Sequence, residues 1–139
     1  MADPERNKDV VRRFVAEVFV AGNAEAVDEL VAGDFVPPSW PSTGDPRGDL
    51  KRSIERVGAG LADVVFTIED LVAEDDRVAA RLTTSATQVG EFIGMPPSHR
   101  RYTIEEIHIF RIHDGQVVEH WHQFDRMSLM QQLGVEPRA

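Results

Sequence analysis

Four ionisable side chains in the last third of the chain have a spacing that could do chemistry: Glu106, His108, His120 and His122. The chain holds five histidines and two tryptophans, and the stretch "EHWHQFD" (119–125) packs two of those histidines and one tryptophan into adjacent positions. Residues two apart on an extended strand point to one face. Glu106 and His108 therefore share a face, and so do His120 and His122. Three readings fit this pattern. His-x-His with a carboxylate is a donor set for non-haem iron or zinc. Histidine oriented by a carboxylate is also an acid/base pair, because imidazole titrates near neutrality. The third reading is a packed polar network without chemistry.

The elements that must position these residues follow from periodicity. Tyr102 to Ile112 and Gln116 to Phe124 alternate as strands, joined by the hairpin signal His113-Asp114-Gly115. A three-residue turn pairs Ile112 with Gln116. His108 then faces His120 and Glu106 faces His122, with Cβ atoms about 5 Å apart. A two-residue turn would break this pairing, and so would a bulge. The same face carries Tyr102, Ile104, Phe110, Ile112, Val118 and Phe124. The cluster is thus expected in an apolar setting, where unpaired charge is costly. An internal pocket is predicted with Phe14, Trp40, Phe110, Val118 and Phe124 in its wall. The opposite face carries Ile107, Ile109, Val117 and Trp121.

Ahead of the strands the period is helical. Val10, Val11, Phe14, Val15, Val18 and Phe19 mark one face of a helix over 3–21. Asn23 caps a second helix through Val31, and Asp49 to Leu61 reads as a third. Asp34 to Gly44, with Pro37, Pro38 and Pro41 around Trp40, reads as a rigid loop. Val64 to Ile68 and Val78 to Gln88 read as strands, and Met127 to Leu133 as a short closing helix. Helices first and an antiparallel meander after them is an α+β pattern, with helices on one face of a curved sheet.

Composition narrows the partners. The 139 residues carry 15 Lys+Arg against 24 Asp+Glu, a net charge of −9. That sign disfavours nucleic acid and anionic membrane surfaces. No cysteine is present, so disulfides and thiolate sites are excluded. "MADPERNKD" lacks the apolar core of a signal peptide, and no apolar run approaches the roughly 18 residues of a membrane span. The expectation is a single cytoplasmic domain over 1–139. "GAG" at 58–60 follows no strand and is no phosphate loop. "KRSIER" and "PPSHRR" read as solvated surface.

The stretch 90–134, "GEFIGMPPSHRRYTIEEIHIFRIHDGQVVEHWHQFDRMSLMQQLG", resembles the SnoaL-like polyketide cyclases. The likeness lies in the Gly-apolar-Pro-Pro-Ser loop, the Arg-Arg entering a strand, the mid-strand His, the Asp-Gly hairpin and the Gln-Leu-Gly close. "VVRRFVAEVFVAGNAEAVDELVAGDFV" resembles the family's opening helices. The resemblance implies the nuclear-transport-factor-two-like fold: a cone-shaped barrel of curved antiparallel sheet wrapped around N-terminal helices, with a ligand cavity inside. It also implies homo-oligomers, cofactor-independent acid/base cyclase or isomerase chemistry on a polyketide-like small molecule, and no metal. The mid-strand His matches His108. The family's acid/base aspartate matches His122, a departure in residue type. On this reading His122 is the general base, Glu106 its orienter, and His108 and His120 electrostatic partners of a developing enolate. A non-catalytic ligand-binding member of the same fold is the alternative.

Overall fold

The computed structural model describes residues 2–36 and 43–135. Helix α1, Pro4–Phe14, starts where Asp3 accepts from the Arg6 amide and Pro4 occupies the first turn. Val10, Val11 and Phe14 are its buried stripe. The expected single helix to Ala21 instead widens into π-type turns over Val15–Val20, with Ala21 N–H donating to the Ala16 carbonyl at 3.0 Å. The widened turns carry Phe19 across the sheet, where its ring lies 5.4 Å from Phe66 and 5.3 Å from His108. Helix α2, Ala24–Leu30, is capped by Asn23, and helix α3, Pro46–Gly60, by Asp45. Helix α4, Arg126–Gln132, begins where Asp125 accepts from the Ser128 amide at 3.0 Å. Among the described residues no helix is long and apolar enough to cross a membrane.

Five strands form one sheet in the order β1-β5-β4-β3-β2: β1 Val31–Val36, β2 Leu61–Glu74, β3 Arg77–Gln88, β4 Arg101–His113 and β5 Gln116–Phe124. The α+β expectation holds. Strand β1 departs from the expectation of a helix through Val31 and a loop from Asp34. It runs parallel to β5, with Val31 opposite Val117, and so depends on a partner some 85 residues away rather than on a local pattern. Trp40 and the nearby prolines lie outside the described residues. Strand β2 is longer than the Val64–Ile68 run, because irregularities at Ala62/Val65 and Ile68/Asp70 interrupt its alternation. Strands β3 and β4 pair without a register shift from Arg77↔Arg111 to Thr87↔Arg101, burying alternate residues towards the helices.

The β4–β5 hairpin corrects the expected register. Its turn has two residues, Asp114 and Gly115, both left-handed with φ of 49° and 75°. Left-handed backbone at both positions suits the right-handed twist of the flanking strands. His113 therefore pairs with Gln116 and Ile112 with Val117. Val118 is then skipped, and Arg111 pairs with Glu119. The short turn shifts the register by one residue and the bulge shifts it by one more. Parity is restored, but each inward residue meets the next partner along: His108 faces His122, Phe110 faces His120, and Glu106 faces Phe124. Val117, expected outside, is fully buried beside Ile112, while Val118 leaves the inner face. Ile107 and Ile109 remain exposed on the outer face.

Val118 is therefore the extra residue of the bulge. Deleting it should leave Arg111 opposite Glu119 and His108 opposite His122, because the ladder then runs on without a skipped position, and cooperative thermal unfolding should persist. Inserting one alanine after Val118 should instead turn Glu119, Trp121 and Gln123 inward and abolish it. Calorimetry of the two variants is the check. An insertion variant that melts like wild type would disprove the role of this spacing in the register.

Candidate active site

The inward residues of β3, β4 and β5 converge on Glu106. Its carboxylate is 8% exposed and accepts from three strands. His122 Nε2 lies 2.6 Å and His108 Nε2 3.2 Å from Oε1, while the Thr84 hydroxyl donates to Oε2. His108 Nδ1 is 2.8 Å from His120 Nε2. The His108 and His122 rings stack at 4.1 Å and 10°, as directly opposed strand residues do when their side chains lean the same way. Phe110 lies parallel to His120 at 4.6 Å, and Phe19 caps His108.

Burial alone would raise the Glu106 carboxyl. The hydrogen bonds from His108, His122 and Thr84 outweigh it, and Glu106 is held below the ordinary carboxylate range. Burial lowers His108 against the opposing pull of Glu106. Burial lowers His120 further, helped by repulsion from charge on His108 and His122. These states fix the tautomers. An ionised carboxylate only accepts, so the Nε2 atoms of His108 and His122 both carry protons. Neutral His108 then has a bare Nδ1, which accepts from His120 Nε2–H. His122 has Nε2 engaged by Glu106, and Nδ1 is its remaining ring nitrogen.

A cavity of about 610 Å³ opens above this cluster, within the range of small-molecule sites. Its walls are mostly apolar, with Phe19, Ile54, Val57, Phe66, Phe92 and Phe124 among them. Thr84, Glu106, His108 and His122 give it a polar end. The residues expected in the wall divide. Phe124 lines the cavity, whereas Phe14 and Phe110 pack beneath the histidines in the core, 5.2 Å apart. Val118 is displaced by its bulge. His120 is buried behind His108 and does not border the space. Sequence parity missed Thr84, which reaches Glu106 only because of the β3–β4 register, and Phe19, which depends on the π-type turns. Glu106, His108 and His122 each offer a ligand atom within 4.8 Å of the others, a geometry a metal ion could use. In this arrangement those same nitrogens are hydrogen-bonded to the carboxylate.

The depressed His108 and His120 make the fold acid-sensitive. Their unfolded forms take up protons below about pH 6.5, and the folded forms resist. Stability is therefore fully present above that pH and is lost as pH falls. Glu106 adds a further loss below about pH 4.3, where its unfolded form protonates first. Between pH 7 and 5 the urea-unfolding free energy should drop by about 1 to 3 kcal/mol. His120→Phe should flatten that dependence, whatever its effect on stability at pH 7. An unchanged pH slope would refute the neutral assignment.

Comparison with known proteins agrees with the fold. The model of the SnoaL-like polyketide cyclase family matches residues 9–133. Nogalonic acid methyl ester cyclase of Streptomyces nogalater is 26% identical over 132 residues, covering 86% of this chain and 92% of that protein. The aklanonic acid methyl ester cyclase AcmA of Streptomyces galilaeus is 30% identical over 132 residues, covering 89% and 88%. Among solved structures, TsrD from Streptomyces laurentii superposes with a TM-score of 0.87 at 30% identity, covering 96% of this chain and 98% of that one. With 125 consecutive residues matched by its model, the chain belongs to the SnoaL-like polyketide cyclase family.

Proposed function

We propose that the protein is a cofactor-independent acid/base cyclase acting on a polyketide-like ester, with the Glu106–His122 pair as its proton-transfer centre. The observation that carries this reading is the 2.6 Å bond between His122 Nε2 and Glu106, set at the polar end of an apolar cavity. The carboxylate fixes one ring nitrogen as a donor and leaves the other free to accept. His122 Nδ1 takes a proton from an acidic C–H flanked by carbonyls. The resulting enolate carbon attacks a second carbonyl of the same molecule, forming the ring bond. The new alkoxide is reprotonated from the imidazolium, so no proton is gained or lost overall. An ionised Glu106 stabilises that imidazolium. His108 and His120 act as positioning residues, since both His108 nitrogens are already engaged. The names of the relatives, methyl ester cyclases, support this substrate class.

No metal is required in this scheme. The outer sheet face, with Ile107 and Ile109 exposed, supports a homodimer or higher homo-oligomer.

His122→Ala should lower kcat on nogalonic or aklanonic acid methyl ester by about 10²–10⁴, the usual share of a general base. Glu106→Gln should lower it less, because an amide oxygen can still accept from Nε2. Wild-type turnover in His122→Ala would reduce His122 to a cavity-lining residue and leave the ligand-binding alternative. Elemental analysis of protein purified without chelator should show no stoichiometric metal. One equivalent of iron or zinc, absent from His122→Ala, would replace the proton-transfer scheme with a metal one. Sedimentation should show an oligomer that Ile107→Asp combined with Ile109→Asp dissociates; a monomeric wild type would remove the interface.

A further inference from the structure

Tyr102 is the chain's only tyrosine. It stands on the inward face of β4, four residues before Glu106 and opposite the small Ala86 of β3. The residue is 3% exposed, and its ring lies parallel to Phe92 with centroids 6.1 Å apart. Buried tyrosine hydroxyls normally find a partner. This one has none among the described residues, yet no buried side-chain oxygen is left unsatisfied. The hydroxyl thus keeps some open surface, and Tyr102 borders the cavity. Burial raises the phenol above its ordinary pKa, and the charge of Glu106 adds to the effect. The group is thus a neutral donor beside a mostly apolar space, with no acceptor among the described residues.

We propose that Tyr102 is a substrate-anchoring residue, donating a hydrogen bond to a carbonyl oxygen at the far end of an extended planar ligand whose reactive end lies at His122. This rests on the acid/base reading above and adds the ligand's shape and polarity. Four residues along a strand span roughly 13 Å, so the backbone positions that carry the anchor and Glu106 are spaced by about the length of a fused-ring skeleton. Flat side chains border the space between them: Phe92 beside Tyr102, and Phe19 stacked on Phe66 at 5.4 Å. The acceptor is neutral rather than anionic, because Glu106 already places a negative charge in this cavity and the chain carries −9 overall. Quinone, ketone and ester oxygens meet that description.

A single tyrosine makes the test site-specific. Protein isotope-labelled at tyrosine Cζ should give one resonance, which quinizarin, a planar hydroxyanthraquinone, should shift to a saturable limit. Tyr102→Phe preserves the ring and removes the donor. It should weaken quinizarin binding about 3- to 10-fold, the value of one hydrogen bond, and leave the affinity for phenylnaphthylamine, which lacks a carbonyl, unchanged. On the methyl ester substrates it should raise KM with little change in kcat. An unmoved tyrosine resonance at saturating quinizarin, equal affinity in Tyr102→Phe, or no quinizarin binding at all would overturn the proposal. The two binding measurements need no turnover. Failure of the acid/base reading would instead appear as undiminished turnover in His122→Ala.

Discussion

The site depends on one buried negative charge. An isolated carboxylate in an apolar interior would neutralise itself by taking a proton. Glu106 stays ionised because donors arrive from three adjacent strands: Thr84 from β3, His108 from β4 itself and His122 from β5. The charge in turn dictates the protonation of its surroundings. It requires N–H at both facing imidazole nitrogens, which makes His108 an acceptor for His120 and leaves His122 with one free nitrogen. Removing Glu106 would therefore disturb all three rings, not one contact. A buried polar network of this kind is worthwhile only when every member is satisfied, and here every buried side-chain oxygen and nitrogen among the described residues is.

The cavity and the core divide the inner face of the sheet. Beneath the histidines, Phe14, Phe110 and the stripe of α1 form a buried apolar cluster. Above them the helices stand away from the sheet. The π-type turns at Val15–Val20 mark that boundary, because they bring Phe19 over His108 while Val18 remains in the core. On the far side, Tyr102 and Leu129 belong to a second apolar cluster that closes the other end. The cavity thus lies between two packed regions, which hold its walls while leaving its interior free for a ligand.

The hairpin shows how two local irregularities act together on a distant property. A two-residue turn alone would have placed Glu119, Trp121 and Gln123 opposite the inward residues of β4. The bulge at Val118 returns His120 and His122 to the inner face, one position further along. The pairing of His108 with His122 follows, and with it the diagonal bond from His120. The outer face receives Trp121, over which the Arg77 guanidinium lies at 5.7 Å.

Much was determined by the sequence itself. Helical and strand periods gave the α+β class and the order of elements, since each depends on neighbours a few residues apart. Period-two parity placed Glu106, His108, His120 and His122 on one inward face, and the family resemblance pointed to a cavity beside them. The tertiary structure decided what long-range pairing controls. Strand β1 exists because β5 offers it an edge. Which residue faces which across β4 and β5 rests on a turn type and a bulge whose shifts cancel in parity. Thr84 reaches Glu106 only through the β3–β4 register, set across a loop of a dozen residues. Phe14 and Phe110 had the right face and hydrophobicity for the cavity wall, but so does any core residue. Lining is a matter of where packing stops, and local sequence carries no signal for that.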